Sequence, residues 1–302
     1  MSRVLVYQAN GVQGAATLRR IQQAGFTARA LIRNKPRATE LAQSGVEVAV
    51  ADLSDRDALI RAHQSVDYAV VQIPAYADAF VERAIENARS AMELARVKGA
   101  IIKMANPTSL LATPDSGFSA NQIVLERMQS SSMAFSVLEP TMYLDTFLKP
   151  NLSREIARDK LIDLPIADTL KIAWTTVDDA ARLAVSLLQW ESWGKTLRCA
   201  GEMAYDGHEL AAAFSIVLGR QVSYRCTDLD LFQRDLESAN GPIAAATVVG
   251  KFRFISRFPD EARRMLSVTS SKMSAGEDFV PTRVEDWIRM NNARFGCPPL
   301  NC

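Results

Sequence analysis

The stretch VLVYQANGVQGAA, residues 4–16, joins three kinds of local sequence in immediate succession. An apolar run, Val4 to Tyr7, predicts a strand, and a turn of small residues follows it. That turn carries Gly11 and Gly14, and an amphipathic helical pattern starts near Val12. One glycine would let the backbone approach a pyrophosphate, and the other would let the helix pack closely on the strand. The pattern indicates a dinucleotide site at a helix N-terminus, with an ordinary tight turn as the alternative.

Gln8 occupies the position at which such a turn usually has a further glycine. A side chain there is costly only where the local φ is positive. We therefore interpret the stretch as a modified cofactor site. In one arrangement of this site, the Gln8 side-chain amide lies near the phosphates.

Strand-like and helix-like segments alternate through the first 140 residues. The apolar runs are RVLVYQ (3–8), TARALIR (27–33), VEVAVAD (46–52), DYAVVQI (67–73), GAIIKMA (99–105) and FSVLEP (135–140). This alternation predicts an α/β fold, a doubly wound parallel sheet of the Rossmann type. Beyond about residue 145 the rhythm becomes irregular and more helical, and TTVDDAARLAVSLLQ (175–189) predicts a helix with Thr176 or Asp178 as its cap. We expect an NADP-binding domain over 1–145 and a smaller, partly interwoven substrate-binding portion over 146–302.

The composition excludes several functional classes. The formal net charge of +1 gives no sign of nucleic-acid or anionic-membrane binding. No apolar segment approaches the roughly 18 residues that span a bilayer, and the N-terminus lacks a signal-peptide pattern. The four cysteines form no metal-type C-x-x-C pair, so we expect no metal, mostly reduced thiols and a cytoplasmic location. His63 and His208 lack the neighbours of a hydrolase triad, and we expect His63 on a helix surface.

The second strand ends in a cluster of cations. Arg33 is followed by Asn34 and Lys35, where NAD-binding folds usually place an acidic residue. A guanidinium there suits a 2′-phosphate, so the sequence favours NADP(H) over NAD(H). A solvated basic loop is the alternative.

The ends of the next strands complete the predicted cofactor site. Asp52 and Leu53 fall at the adenine edge, although Asp52 or Ser54 would also serve as a helix cap. Ile73 and Pro74 would lie over the middle of the cofactor. The predicted cofactor residues are Gln8, Asn10, Gly11, Val12, Gly14, Arg33, Asn34, Lys35, Asp52, Leu53, Ile73, Pro74, Lys103 and Pro140.

Taken together, these segments resemble the NmrA-like family of atypical short-chain dehydrogenases/reductases. The resemblance extends through QANGVQG (8–14), RALIRN (29–34), ADLSD (51–55), VKGAIIKMA (97–105), ERMQSSSMAFSVLEP (126–140), TTVDDAARLAVSLL (175–188) and ELAAAFSIVLGRQVSY (209–224). It implies an NADP-binding fold. Some members reduce quinones, azo or triphenylmethane dyes, or aromatic alkenes and ethers. Others bind the dinucleotide and regulate partner proteins without catalysis.

Departures from the family concern the catalytic end. No tyrosine is followed by lysine four places on, so the usual short-chain proton donor is absent. Gln122 stands where reductases of the family often have a lysine. Lys103, at the position of a usual serine, would be a proton donor or, more simply, a solvated strand-end lysine. Tyr143 would orient a substrate or pack. We predict Lys103 and Tyr143 as catalytic residues.

The predicted substrate pocket comprises Asn106, Gln122, Met142 and Tyr143. The leading hypothesis is an NADPH-dependent reductase of a small hydrophobic, aromatic or conjugated molecule, such as a quinone or enone. The alternative is a non-catalytic NADP(H)-sensing regulatory protein. The expected partner is the small-molecule substrate. The sequence leaves open whether the protein forms a homodimer.

Overall fold

Seven parallel strands form the central sheet in the computed structural model, which describes residues 1–33, 38, 41–42, 45–74, 78–104, 119–269 and 279–296. The strands are β1 Arg3–Val6, β2 Thr27–Ile32, β3 Glu47–Val50, β4 Tyr68–Val71, β5 Gly99–Lys103, β6 Phe135–Pro140 and β8 Thr196–Cys199. Their order is β3-β2-β1-β4-β5-β6-β8, and every neighbouring pair is parallel. The predicted doubly wound α/β fold is confirmed, and each of the six predicted strands is present.

Helices on both faces cover this sheet, and further helices belong to the core of the C-terminal half. They are α1 Val12–Gln23, α2 Arg56–His63, α3 Asp78–Leu94, α4 Ser119–Gln129, α5 Pro150–Arg158, α6 Val177–Gln189, α7 Gly207–Leu218, α8 Leu229–Asn240, α9 Pro242–Arg257, α10 Pro259–Leu266 and α11 Val284–Met290. Short 3-10 turns span Leu144–Leu148 and Asn292–Phe295. None of these described helices combines the length and the apolar character needed to cross a membrane.

The two faces follow from the period-2 alternation of strand side chains. In β1, Val4 and Val6 join a cluster with α1 and α6, whereas Leu5 joins a cluster with α2, α3 and α4. Burial on both faces requires apolar residues at successive positions. This is why the strands read as continuous apolar runs in the sequence.

The C-terminal half contributes to the sheet as well as forming its own core. A third cluster is built around Phe147, Trp174 and Phe214, beside a parallel pair of β7 Leu161–Leu164 and β9 Ser223–Cys226. Between these elements the chain returns to the main sheet, where α6 packs against α1 and β8 extends the edge next to β6. The two halves are therefore interwoven, and the boundary at residue 145 stays a prediction.

Local side chains set several helix starts. Thr176 caps α6 by accepting a hydrogen bond from the Asp179 N–H at 2.9 Å, one of the two caps predicted for this helix. The predicted cap of α2 was wrong, because Asp55 fills that role by accepting from the Ala58 N–H. Asp52 instead accepts from the Ser54 N–H at 2.8 Å. The segment therefore turns once more before the helix begins.

His63 lies in the core, and the expectation of a surface position was wrong. Its side chain is fully buried at the end of α2. One ring nitrogen lies 2.8 Å from the Leu59 carbonyl oxygen and the other 3.3 Å from the Tyr7 hydroxyl. Burial lowers the pKa of His63 to about 4, because the charged imidazolium loses its hydration. Cys199, which is buried, and Cys226, which is exposed, carry free thiols, whereas Cys297 and Cys302 lie outside the described residues.

Stability should fall on acidification because His63 binds a proton more readily in the unfolded chain. The pKa of His63 is about 4 in the folded protein, which is below its value in the unfolded chain. The contribution of His63 to the free energy of unfolding is therefore fully present above about pH 6.5, and it is lost as the pH falls towards 4. Between about pH 7.5 and pH 5 we expect a loss of about 2 kcal/mol in the free energy of unfolding. Urea denaturation of the wild type and of His63→Gln would measure it as the difference between the two pH slopes.

The second histidine provides the control. His208 is exposed next to Asp168, and His208→Gln controls for the replacement of a histidine as such. An unchanged slope in His63→Gln would contradict the assignment.

Candidate functional site

The turn between β1 and α1 is tighter than a side chain at position 14 would allow. A Cβ atom on Gly14 would lie 2.1 Å from the Gln8 carbonyl oxygen, a distance that backbone atoms cannot accommodate. The same oxygen accepts a hydrogen bond from the Gly11 N–H at 2.9 Å. A Cβ on Gly11 would be 3.3 Å away, which is crowded but not prohibitive. Gly14 is therefore required for the packing of α1 against its own turn.

Gln8 adopts a strained backbone conformation. Its φ is +49°, in the left-handed region that favours glycine. The side-chain amide donates to the Gln72 carbonyl oxygen at 2.9 Å, across the ends of β1 and β4. This hydrogen bond ties together the two strands at which the strand order reverses, and it offsets part of the backbone strain. A parallel α/β sheet binds its ligands at that reversal.

The N-terminus of α1 is open to an anion. Gly11 is the N-cap residue, and no described side chain caps the helix. No acidic residue stands in its first turn, and Val12 is exposed. The free N–H groups and the positive end of the helix dipole therefore point into the turn. A phosphate group is the ligand that such an end favours.

A cleft of about 150 Å³ lies beside this turn, at the carboxyl ends of β1 to β4. Its lining residues are Gln8, Asn10, Leu31, Ile32, Arg33, Ala51, Asp52, Leu53, Pro74 and Phe80. The structure thus brings together six residues predicted for the cofactor site, from four separate segments. The sequence analysis missed Leu31, Ile32 and Ala51, although these residues directly precede predicted ones. It also missed Phe80 of α3, for which the sequence contains no local signal.

Arg33 and Asp52 give the cleft its charge pattern. Arg33 is exposed at the end of β2. Hydrogen bonds from Ser54 and, more weakly, the charge of Arg33 lower the pKa of Asp52, so its carboxylate stays ionised. The guanidinium is available to a phosphate and the carboxylate to an amine donor. Asn34 and Lys35 lie outside the described residues.

These features fit a dinucleotide with a 2′-phosphate. The close approach at Gly14, the uncapped helix and the cleft next to Arg33 lie in adjacent positions, as a pyrophosphate and an adenosine of one ligand would require. Two of the other residues predicted for the cofactor site lie at the ends of further strands. Ile73 is partly buried, and Pro140 is buried at the end of β6.

Lys103 is buried, so the expectation of a solvated strand-end lysine was wrong. Only 4% of the residue is exposed. Its ammonium donates to the Thr17 hydroxyl oxygen at 3.1 Å, on the face of α1 that packs against the sheet. Burial lowers the pKa of Lys103 to about 8. Its predicted catalytic role stays a prediction.

The predicted substrate residues occupy different environments. The Tyr143 hydroxyl donates to the Gln13 side-chain oxygen at 3.2 Å, and burial raises the pKa of that phenol. Met142 is 5% exposed within the core of the C-terminal half. Gln122 is exposed on α4, where its amide donates to Glu126. Asn106 lies outside the described residues, and the substrate pocket as a whole stays a prediction.

The chain is similar to two characterised oxidoreductases. It is 27% identical over 252 residues to the NAD(P)H azoreductase of Xenophilus azovorans, covering 82% of this chain and 85% of the relative. It is 27% identical over 224 residues to quinone oxidoreductase 2 of Escherichia coli, covering 73% and 75% respectively. These names agree with the expected enzyme class and cofactor.

Solved structures share the fold. The triphenylmethane reductase of Citrobacter sp., solved with NADP(H), superposes with a TM-score of 0.78 at 19% identity, covering 96% of this chain and 99% of that one. The NADPH-dependent quinone oxidoreductase of Escherichia coli gives 0.71 at 20% identity, covering 95% and 98%. Residues 1–288 also match the sequence model of the NmrA-like family. The chain therefore belongs to the NmrA-like family, as its motifs predicted.

Proposed function

We propose that this protein is an NADPH-dependent reductase of a small hydrophobic acceptor, aromatic or conjugated, such as a quinone or an enone. The observation that carries the proposal is the cleft at the strand reversal, where an open helix N-terminus and Arg33 lie together. Both characterised relatives are named for oxidoreductase activity, which supports the same reaction class.

Each part of the site has a distinct task in this proposal. The first-turn N–H groups of α1 hold the pyrophosphate, and Arg33 pairs with the 2′-phosphate. Asp52 accepts a hydrogen bond from the adenine amine. When bound, NADPH supplies a hydride from C4 of its nicotinamide. The protein contributes position and a dry pocket, and a conjugated acceptor takes its proton from solvent, so no strong built-in acid is required.

A sensor function is the second candidate. It is favoured by the surroundings of the two predicted catalytic residues, since both Lys103 and Tyr143 make hydrogen bonds to side chains of α1. With these groups engaged, the fold would bind the dinucleotide and report its redox state to a partner. Turnover distinguishes the two candidates.

The reductase proposal predicts NADPH consumption by suitable acceptors. Purified protein should oxidise NADPH, followed as loss of absorbance, with members of a panel of quinones, azo dyes and triphenylmethane dyes. Calorimetric titration with NADP⁺ in parallel measures binding without turnover. Binding with no oxidation across the panel would contradict the reductase and favour the sensor. No binding would contradict both.

Arg33→Ala tests the choice of cofactor. A charge-assisted contact to the 2′-phosphate is worth about 1.5–3 kcal/mol, so NADPH affinity should fall by roughly 10- to 100-fold. NADH, which lacks that phosphate, should be affected by less than about twofold. Fluorescence titration of both nucleotides measures the two dissociation constants. Arg294→Ala removes an exposed arginine of the C-terminal half and serves as the control. Equal losses for NADPH and NADH would refute the assignment.

Two glycines of one turn should respond differently to alanine. Gly14→Ala forces a methyl group against the Gln8 carbonyl, so α1 must shift and the melting temperature should fall by several degrees. In Gly11→Ala, the Gln8 carbonyl oxygen needs to move by only a few tenths of an ångström to accommodate the methyl group. This variant should retain the wild-type melting temperature and weaken NADP⁺ binding by about tenfold, because its methyl group crowds the pyrophosphate. Calorimetry measures both quantities, and equal melting temperatures would contradict this division of roles.

A further inference from the structure

We propose that Lys103 is a positioning residue whose buried positive charge, held beneath α1, strengthens binding of the cofactor's pyrophosphate. This inference rests on the proposed function, because it requires a dinucleotide at the N-terminus of α1. It assigns Lys103 an electrostatic task that needs no contact with the substrate.

A short chain of hydrogen bonds connects Lys103 to the phosphate-binding turn of α1. Its ammonium donates to the Thr17 hydroxyl oxygen at 3.1 Å. That hydroxyl donates in turn to the backbone carbonyl of Gln13 at 2.9 Å. Gln13 is the second residue of the helix, within the turn whose N–H groups are free. Lys103 therefore supports the helix at the end that would hold the phosphates.

Tyr143 supports the same turn from another side. Its hydroxyl donates to the Gln13 side-chain oxygen at 3.2 Å. Tyr143 follows β6, whereas Lys103 ends β5, so two neighbouring strand ends hold one helical turn. The first turn of α1 is thus preorganised before any ligand arrives, which reduces the cost of binding.

The charge of Lys103 has no anionic partner among the described residues. Its hydrogen-bond acceptor is a neutral hydroxyl, and it forms no ion pair with them. The ionisable neighbour that acts on it is Cys199 of β8, whose thiol has its pKa raised to about 12 by burial and is therefore neutral. The Tyr143 phenol is neutral as well, since burial also raises its pKa.

The charged pair on α6 that acts on Cys199, Asp179 with Arg182, is already satisfied. Asp179 lies 3.0 Å from the Arg182 guanidinium and accepts hydrogen bonds from the Thr282 N–H and hydroxyl, each at 3.0 Å. It therefore has little capacity left to neutralise Lys103. A buried charge without a counter-ion is costly, and an anion bound nearby offsets that cost.

The geometry allows that anion to be the pyrophosphate. Thr17 is five residues beyond Val12, or about 7.5 Å along the helix axis at 1.5 Å per residue. Over such a distance in the protein interior, a unit charge still attracts an anion measurably. Salt screens this attraction only weakly. Lys103 and the positive end of α1 therefore act in the same direction.

The consequence is an affinity that depends on pH. Because burial lowers the pKa of Lys103 to about 8, the ammonium loses its proton as the pH rises beyond that value. NADP⁺ should then bind on the order of five- to tenfold more weakly at about pH 9.5 than at pH 7. Adenosine 2′-monophosphate lacks the pyrophosphate and should show no such change. Calorimetric titration of the wild-type protein with both ligands measures the two profiles.

Lys103→Met separates the electrostatic role from a merely structural one. The substitution keeps the length of the side chain and removes the charge, so the unliganded protein should keep or raise its melting temperature. Its NADP⁺ affinity at pH 7 should fall by the same five- to tenfold factor, and its pH dependence should disappear. Lys98→Met is the matched control, since Lys98 is exposed next to the other end of β5. It should leave affinity and pH profile unchanged.

Three results would overturn the proposal. They are a wild-type NADP⁺ affinity that is constant over this pH range, an equal pH change for adenosine 2′-monophosphate, and unaltered affinity in Lys103→Met. If that variant does not fold, the two wild-type profiles decide. Failure of the proposed function has a different signature, because wild-type protein would then not bind NADP⁺ at any pH, and this inference would fall with it.

Discussion

The Gln8 carbonyl oxygen occupies the place where a side chain at position 14 would have to be. That close approach holds α1 against the end of β1, and it directs the first N–H groups of the helix into the turn. The cleft, its charge pattern and the interwoven C-terminal half are all arranged around a helix in this position. Any wider separation would open the turn and move the N-terminus of α1 away from Arg33.

The C-terminal half holds that helix in place. Helix α6 packs along α1, and Arg20 pairs with Asp178 across the contact. The next residue of α6, Asp179, is buried and accepts a hydrogen bond from the Thr282 N–H. The segment before α11 is therefore attached to α6. Residues that are far from the cleft in sequence thereby determine how firmly α1 is held.

Several features that lower the stability of the folded protein lie around this helix. Its N-terminus carries no capping side chain from the described residues, and Gln8 holds a positive φ beside it. Each of these features costs free energy in the folded protein. A buried ammonium at Lys103 adds to that cost. Features of this kind are retained at sites where a ligand compensates for them, and here all of them lie around a single helix.

Much of the architecture was predictable from local pattern, because apolar runs of the right length and the glycine turn are properties of neighbouring residues. Six strands, the starts of α1 and α6, and six of the ten cleft residues followed from that pattern. Strand β8 was missed, since the half-exposed segment TLRC at the sheet edge lacks a strong apolar signal. The cap of α2 was misassigned among adjacent polar residues.

Position 103 shows where local pattern stops being informative. The sequence by itself determined the α/β fold, the family and a cationic strand end suited to a 2′-phosphate. It did not determine that Lys103 and His63 are buried, because their partners Thr17 and Tyr7 are 86 and 56 positions away. Burial and hydrogen bonding at such separations arise only when strands and helices pack, and they set the pKa values of these groups. Only the tertiary structure therefore decided that the strand-end lysine faces α1 and not solvent.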